Sequence, residues 1–139
     1  MKIHVYYVGK ARDAHANAMA QEYIKRLARF TKCEMREIQP ERFDLCAKHP
    51  SAAKILLDPA GRALDSAAFT SLIEKAEREG RDMAFVVGGA DGFSEAWKSR
   101  ADLLLALSPM TMPHELARVV LAEQIYRAFA TLRGHPYPR

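Results

Sequence analysis

Two short apolar runs in the second half of the chain, each ended abruptly by an irregular loop, dominate the hydrophobic pattern. Met83–Val87 contains only apolar residues and is followed at once by Gly88–Gly89. Leu103–Leu107 is a second such run and is followed by Ser108–Pro109. Runs this short are typical of strands buried on both faces of a parallel sheet rather than of helices. Because ligands of such sheets bind at the carboxyl edge, the sequence predicts a site in these two loops.

Strands and helices alternate along the rest of the chain. Three further strands are predicted at Lys2–Val8, Glu34–Ile38 and Ala53–Leu57, the last ending in a turn at Asp58–Gly61. Apolar spacings of three and four residues, with polar N-caps, predict helices from Asp13 to Phe30, from Ser66 to Glu79, shortly after Ser94, and from His114 to Leu132, with a helical turn at Phe43–Ala47. The pattern therefore predicts one α/β domain over residues 1–139, with about five mostly parallel strands and flanking helices.

The last predicted helix, His114–Leu132, carries apolar residues on nearly all sides. A helix covered on one side would show a single apolar stripe, so this one is expected to be covered on two sides. In so small a domain a second copy of the chain can supply that cover, and we predict a homodimer. Glu123 and Arg127 lie in the apolar face, where charges must be paired or used. They form a structural ion pair, or Glu123 orients Arg127 toward an anionic ligand.

The loops after the two apolar runs differ in how strongly they indicate a bound ligand. Gly88–Gly92 allows the backbone to approach a ligand closely, but it matches neither the dinucleotide fingerprint nor the P-loop. A tight strand-to-helix connection explains it equally well. Ser108–Pro113 contains two prolines and offers backbone groups, a hydroxyl and two methionines. Such a loop suits a heterocycle that is bound by backbone hydrogen bonds between apolar walls.

The C-terminal segment, Gly134–Arg139, contains two prolines and cannot be helical. Tyr137 could stack on a nucleic-acid base, and Arg139 could bind a phosphate. The alternative is a terminus docked on its own domain.

Composition narrows the class of protein. Of the 139 residues, 49% are apolar, enough for a folded core, and 27% are charged, an ordinary fraction. A net charge of +4 permits an acidic partner such as RNA without requiring one. Cys33 and Cys46 are far apart and predict free thiols. With no signal-peptide pattern, no metal-binding spacing and no run of roughly 20 apolar residues, we expect a cytoplasmic protein without a metal or a membrane partner.

Several segments together resemble a known family. They are Glu22–Arg26, Leu57–Asp58, Val87–Gly92, Leu107–Ser108, Thr111–His114, Arg118–Val119, Ala122–Ala128 and His135–Tyr137. In this order they resemble the RlmH family, small SPOUT-class methyltransferases that act on large-subunit ribosomal RNA. The resemblance covers nearly the whole chain.

The resemblance implies a SPOUT domain with a deep trefoil knot near its carboxyl end and a homodimer as the active unit. It implies S-adenosylmethionine as the methyl donor, no metal, and methylation of N3 of a pseudouridine in 23S ribosomal RNA on the assembled ribosome. The implied cofactor-binding residues are Leu57, Gly89, Leu107, Ser108, Pro109, Met110, Thr111 and Met112. The implied catalytic residues are Arg127, Glu123 and Tyr137, and the RNA-binding residues are His114, His135, Tyr137 and Arg139.

Two questions stay open at this point. The N3 proton must leave, and His114, His135 or Glu123 could accept it, while Arg127 or Arg139 could stabilise the anion; we favour electrostatic stabilisation and assign no base. The segment between Ile38 and Lys54 is shorter than expected for the family, which could alter RNA docking.

The alternative function is a non-catalytic ribosome-binding maturation factor, and a weaker alternative is modification of tRNA.

Overall fold

The computed structural model describes residues 1–137, in which the predicted strands form one sheet. The strands are β1 (Lys2–Val8), β2 (Lys32–Ile38), β3 (Ala53–Ala63), β4 (Met83–Val87) and β5 (Leu103–Ala106). The helices are α1 (Ala14–Leu27), α2 (Leu45–Lys48), α3 (Ser66–Arg78), α4 (Glu95–Ser99) and α5 (His114–Leu132), with a 3₁₀ turn at Pro40–Arg42. The strand order is β2-β1-β4-β3-β5, and every neighbouring pair is parallel. The α/β fold with five parallel strands is therefore confirmed.

The two faces of the sheet are covered unequally, because successive side chains of a strand point to opposite sides. One face packs against α1, α3 and α5 in a large core that includes Val5, Phe85 and Phe129. The other face forms a smaller core around Tyr6 and Val86, against the short helices α2 and α4. The second face is thus the thinly covered side of the domain.

Side-chain caps fix the starts of the helices. Asp13 accepts hydrogen bonds from two backbone N–H groups in the first turn of α1, at 3.0 and 3.1 Å. Asp65 caps α3 at 2.8 Å, and Ser94 caps α4 at 3.3 Å. Such caps contribute about 1 kcal/mol each. The predicted starts of these helices are confirmed, whereas α5 begins after Pro113 without a side-chain cap.

Some predicted boundaries shift. The first helix ends at Leu27 rather than Phe30, and β2 begins at Lys32, two residues before the predicted start, because it pairs with β1 from Lys2 onward. The last strand ends at Ala106, one residue early.

The third strand corrects the prediction most clearly. It was expected to end at Leu57 in a turn, yet β3 continues to Ala63. Leu57 and Arg62 both lie opposite Leu105 of β5, so the residues between them bulge out of the ladder before pairing resumes. Gly61 passes so close to β5 that an added Cβ would lie 2.5 Å from the carbonyl oxygen of Leu104. Only glycine fits this passage, and the bulge carries Asp58 to the carboxyl edge.

The last helix is covered on both sides within the chain. α5 packs between α1 and α3, with Leu121, Ile125 and Phe129 fully buried. The cover that we expected from a second copy is therefore supplied by these two helices. The dimer remains a prediction, and it now rests on what α5 leaves exposed, above all Leu116 at 47%.

Candidate functional site

Three loops at the carboxyl edge enclose a cavity of about 360 Å³, which we call the inner cavity. One is the bulge of β3 after Leu57, the other two follow β4 and β5, and the first turn of α5 closes the fourth side. In a parallel sheet these loops converge because all strands point the same way. The predicted cofactor-binding residues on its lining are Leu57, Gly89, Leu107, Ser108, Met110, Thr111 and Met112. Pro109 is not among the lining residues.

The inner cavity has apolar walls and a polar backbone rim. Leu57, Leu105 and Met112 supply apolar surface, and the loop after β5 contributes its main chain. That loop is shaped locally, since the Ser108 hydroxyl oxygen accepts a hydrogen bond from the backbone N–H of Met110 at 3.0 Å. The Met110 side chain is 79% exposed at the mouth. This arrangement can hold a flat heterocycle between apolar side chains while backbone groups form hydrogen bonds with the edge of the ring.

Asp58 is a lining residue to which the sequence analysis gave no role. Its side chain is only 12% exposed, and one carboxylate oxygen lies 3.5 Å from Nζ of Lys98 in α4. The other oxygen accepts the backbone N–H of Ala60 at 2.8 Å, which fixes the start of the bulge. A carboxylate in this position can accept hydrogen bonds from ligand hydroxyl or ammonium groups. Its position directly after a predicted strand was the signal that could have found it.

A second, more open cavity of about 790 Å³, the outer cavity, adjoins the first. The two share Gly89, Ala90, Gly92 and His114, so the cavities meet along these residues. Gly92 has φ 69°, a left-handed conformation that favours glycine. The far wall of the outer cavity is the loop between β1 and α1. His114, predicted to bind RNA, thus lies at the junction of both cavities.

Glu115 ties the far wall to α5. Its Oε1 accepts hydrogen bonds from the backbone N–H groups of Arg12 at 2.7 Å and of Asp13 at 3.0 Å. These bonds, that from Asp13 first, lower the pKa of the Glu115 carboxyl. This contact could not be predicted from the sequence, because nothing in the local pattern relates residue 12 to residue 115.

The predicted catalytic residues form one cluster farther along α5. Arg127 donates from Nη2 to the Glu123 carboxylate at 2.7 Å and from Nε at 3.1 Å. The Tyr137 hydroxyl donates to the same carboxylate, and its ring lies 4.8 Å from that of Tyr126. Burial, then the bond to Glu123, raises the pKa of Tyr137, and the Glu123 bond raises the pKa of Arg127.

This cluster does not line the inner cavity of its own chain. The C-terminal segment folds back onto α5 and α1: His135 donates its backbone N–H to the carbonyl of Ala130 at 2.9 Å, and its ring lies 6.0 Å from Phe30. Arg139, predicted to bind phosphate, lies outside the described residues. Of the base candidates, the described structure brings His114 to the cavities, and leaves Glu123 and His135 in the cluster.

The described residues contain neither a metal site nor a membrane-spanning helix. Across residues 1–137, no group of three His, Cys, Asp or Glu side chains is arranged to hold a metal ion. Over the same stretch, no helix has the length and hydropathy that crossing a bilayer requires.

Comparisons of sequence identify relatives over the full chain. The family described as "Predicted SPOUT methyltransferase" matches residues 1–138. A protein of Solibacter usitatus named Ribosomal RNA large subunit methyltransferase H is 61% identical over 139 residues, covering all of both chains. A protein of the same name from Laribacter hongkongensis is 39% identical over 155 aligned positions, covering all of this chain and 99% of its own. That second relative carries residues that this chain lacks.

Comparisons of structure give the same fold. A methylase family protein from Haemophilus influenzae superposes with a TM-score of 0.64, over 99% of this chain and 70% of its own, at 9% identity. A methyltransferase from Legionella pneumophila, solved with bound SAM, superposes with a TM-score of 0.56, over 92% of this chain and 66% of its own, at 14% identity. At these identities the likeness concerns the fold alone.

Proposed function

Because the chain belongs to the SPOUT methyltransferase family, and within it groups with the ribosomal RNA large subunit methyltransferase H proteins, we propose that it transfers a methyl group from S-adenosylmethionine to large-subunit ribosomal RNA. The observation that carries the proposal is the inner cavity. Its lining combines seven of the eight residues that the family resemblance assigns to the cofactor. A non-catalytic ribosome-binding protein would have no need of this intact cavity, and the tRNA alternative has no support from the names of the relatives.

The residues of the inner cavity fit S-adenosylmethionine, which supplies an activated methyl group when bound. Leu57, Leu105 and Met112 offer apolar walls for the adenine ring. Asp58 offers a carboxylate to hydroxyl or ammonium groups of the same ligand. No metal is needed, since the sulfonium is already a reactive donor and the protein contributes mainly by positioning.

We assign the reaction to N3 of a pseudouridine in 23S ribosomal RNA on the assembled ribosome, as the family resemblance implies, and therefore assign the protein to the cytoplasm. The N3 proton leaves during transfer, so a cation near the base would stabilise the developing anion. Arg127 is our candidate for this role, and Glu123 holds its guanidinium in place with bonds from Nε and Nη2. Tyr137 and His135 belong to the same surface and are candidates for stacking on RNA.

A catalytic role for Arg127 and Tyr137 requires a second copy, because neither lines the inner cavity of its own chain. We propose a homodimer in which each subunit presents this cluster to the cavity of its partner. An exposed apolar side chain supports a contact surface on this face of α5: Leu116, which precedes Glu123 by two helical turns, is 47% exposed.

We also propose the trefoil knot of the family that the chain resembles.

The first experiment combines calorimetric titration with S-adenosylmethionine and a methyl-transfer assay on ribosomes from a strain that lacks the modification. We expect one cofactor bound per subunit and label incorporated into 23S ribosomal RNA, with free RNA a poor substrate. A folded protein that binds no cofactor and transfers no methyl group would contradict the proposal and favour the non-catalytic ribosome-binding alternative.

A further inference from the structure

The loop between β1 and α1 forms the far wall of the outer cavity and is held at one point from across the chain. Val8, Gly9, Lys10 and Arg12 line the cavity, and the last three are exposed. Oε1 of Glu115, in the first turn of α5, accepts the backbone N–H groups of Arg12 and Asp13. One side-chain oxygen thus fixes the distance between this loop and the helix that borders the inner cavity.

The chemistry of the outer cavity suits a nucleotide in a particular orientation. Its lining carries three exposed acidic residues, Glu37, Glu41 and Asp91, whose carboxylates repel phosphate but accept hydrogen bonds from base N–H groups. Lys10 and Arg12 lie on the β1–α1 loop, are exposed as well, and supply cations that can bind the phosphodiester backbone. A nucleotide with its phosphate at Lys10 and Arg12 can direct its base at Asp91, which lies between Ala90 and Gly92, two residues that border both cavities.

The residues that border both cavities link this orientation of the nucleotide to the reaction. Gly89, Ala90, Gly92 and His114 border both cavities, so a group in the outer cavity lies next to a methyl donor in the inner one. Methyl transfer requires donor and acceptor to be held close and in line, and a loosely held β1–α1 loop would misplace the acceptor.

On the basis of the proposed function, we propose that the outer cavity receives the target nucleotide of the RNA and that Glu115 is a positioning residue. It holds the β1–α1 loop in place as the far wall of that cavity. Glu115 lines the outer cavity as well, but its Oε1 is engaged by the backbone N–H groups of Arg12 and Asp13, so we assign it to positioning the loop. Its effect is on the placement of Lys10 and Arg12 and on the width of the cavity.

The test compares two substitutions of one residue. Glu115→Ala removes both hydrogen bonds, whereas Glu115→Gln keeps an amide oxygen that can accept them. With methyl transfer to ribosomes as the assay, we expect Glu115→Ala to raise KM for ribosomes about three- to tenfold. We expect Glu115→Gln to restore most of the wild-type KM, and the Kd for S-adenosylmethionine to stay unchanged in both. Glu74→Ala, which removes an exposed carboxylate paired with Arg78 on α3, is the matched control and should behave as wild type.

Two results would overturn the inference. One is an unchanged KM for ribosomes in a folded Glu115→Ala protein; the other is an equal loss in Glu115→Ala and Glu115→Gln. If Glu115→Ala does not fold, Lys10→Ala and Arg12→Ala decide: each should raise KM for ribosomes and weaken its salt dependence, and wild-type behaviour in both would refute the proposal. Inactivity of the wild-type protein itself would instead contradict the proposed function, so the two failures are distinguishable.

Discussion

Arg118 is the largest fully buried side chain of the described structure, at 1% exposure, and it has no carboxylate partner there. Its guanidinium carbon lies 4.0 Å from the centroid of the Tyr7 ring, and Nη1 donates to Oδ1 of Asn17 at 3.0 Å. Nη2 is buried without a hydrogen-bond partner among residues 1–137. Since a bare buried charge is costly, the aromatic face and the amide oxygen must supply most of its stabilisation. Arg118 thereby joins α5 to β1 and α1.

Removing this side chain should be costly. We expect Arg118→Ala to lower the free energy of unfolding by about 2–4 kcal/mol, because it leaves a cavity and an unpaired Asn17 amide. Urea unfolding followed by circular dichroism measures the change. Arg78→Ala, which removes an exposed i, i+4 partner of Glu74, is the control and should cost less than about 0.5 kcal/mol. Similar losses in the two variants would mean that the buried contacts of Arg118 contribute little.

At the scale of elements, local sequence signals were sufficient to predict a helix or strand wherever residues with a strong conformational preference mark its start and its end. β4 and α5 have the predicted bounds, and α1 starts at its predicted cap, Asp13. The extension of β3 was missed because Asp58–Gly61 is a strong turn signal, and only the pairing of Arg62 with β5 shows that the strand resumes. The inner cavity was anticipated because its loops follow apolar strands. The Glu115 contact was not, since it depends on which loops the sheet order brings together.

The short helix α2 is held to the sheet by a polar contact that depends on pH. Nε2 of His49, which follows α2, lies 2.6 Å from the hydroxyl of the fully buried Tyr6. The His49 ring is 4.0 Å from that of His4, which in turn contacts Glu34 at 3.1 Å. Burial, and then the neighbouring His4, lowers the pKa of His49 below its ordinary value of 6.5. Lys48 adds to this effect, whereas Glu34 and Asp82 oppose it.

The lowered pKa of His49 predicts a loss of stability in mild acid. The unfolded chain takes up a proton near pH 6.5 while the folded protein resists it, so the contribution is complete above that pH and declines as pH falls toward the folded-state pKa. The slope cannot exceed about 1.4 kcal/mol per pH unit for one proton and should be smaller at this partly exposed site. Urea midpoints at pH 7.5, 6.5 and 5.5 should fall more steeply for the wild type than for His49→Gln. Equal slopes would show that another group causes the acid sensitivity.

At the scale of the whole molecule, the two ends of the sheet have different tasks. The amino edge is fixed by polar contacts, such as that between the backbone N–H of Lys2 and Asp82 at 2.8 Å, and its cavity is lined by residues 48–52 and 79–82, none of them a predicted site residue. The carboxyl edge carries the inner and outer cavities, while the Glu123–Arg127–Tyr137 cluster lies apart on α5. This separation within one chain is the physical reason to expect that the active unit contains two.

Mixed dimers can test that expectation directly. Gly92→Val should abolish cofactor binding, since a β-branched residue is strained at φ 69° in the wall of the inner cavity. Arg127→Ala should abolish transfer while cofactor binding persists. Each variant alone is then inactive, but a mixed dimer pairs the intact cavity of one subunit with the intact cluster of the other. Random pairing in an equal mixture, after denaturation and refolding together, should restore about one quarter of wild-type activity. If the cluster instead served the cavity of its own chain, every site in the mixture would carry a defect and activity would stay at the level of the separate variants.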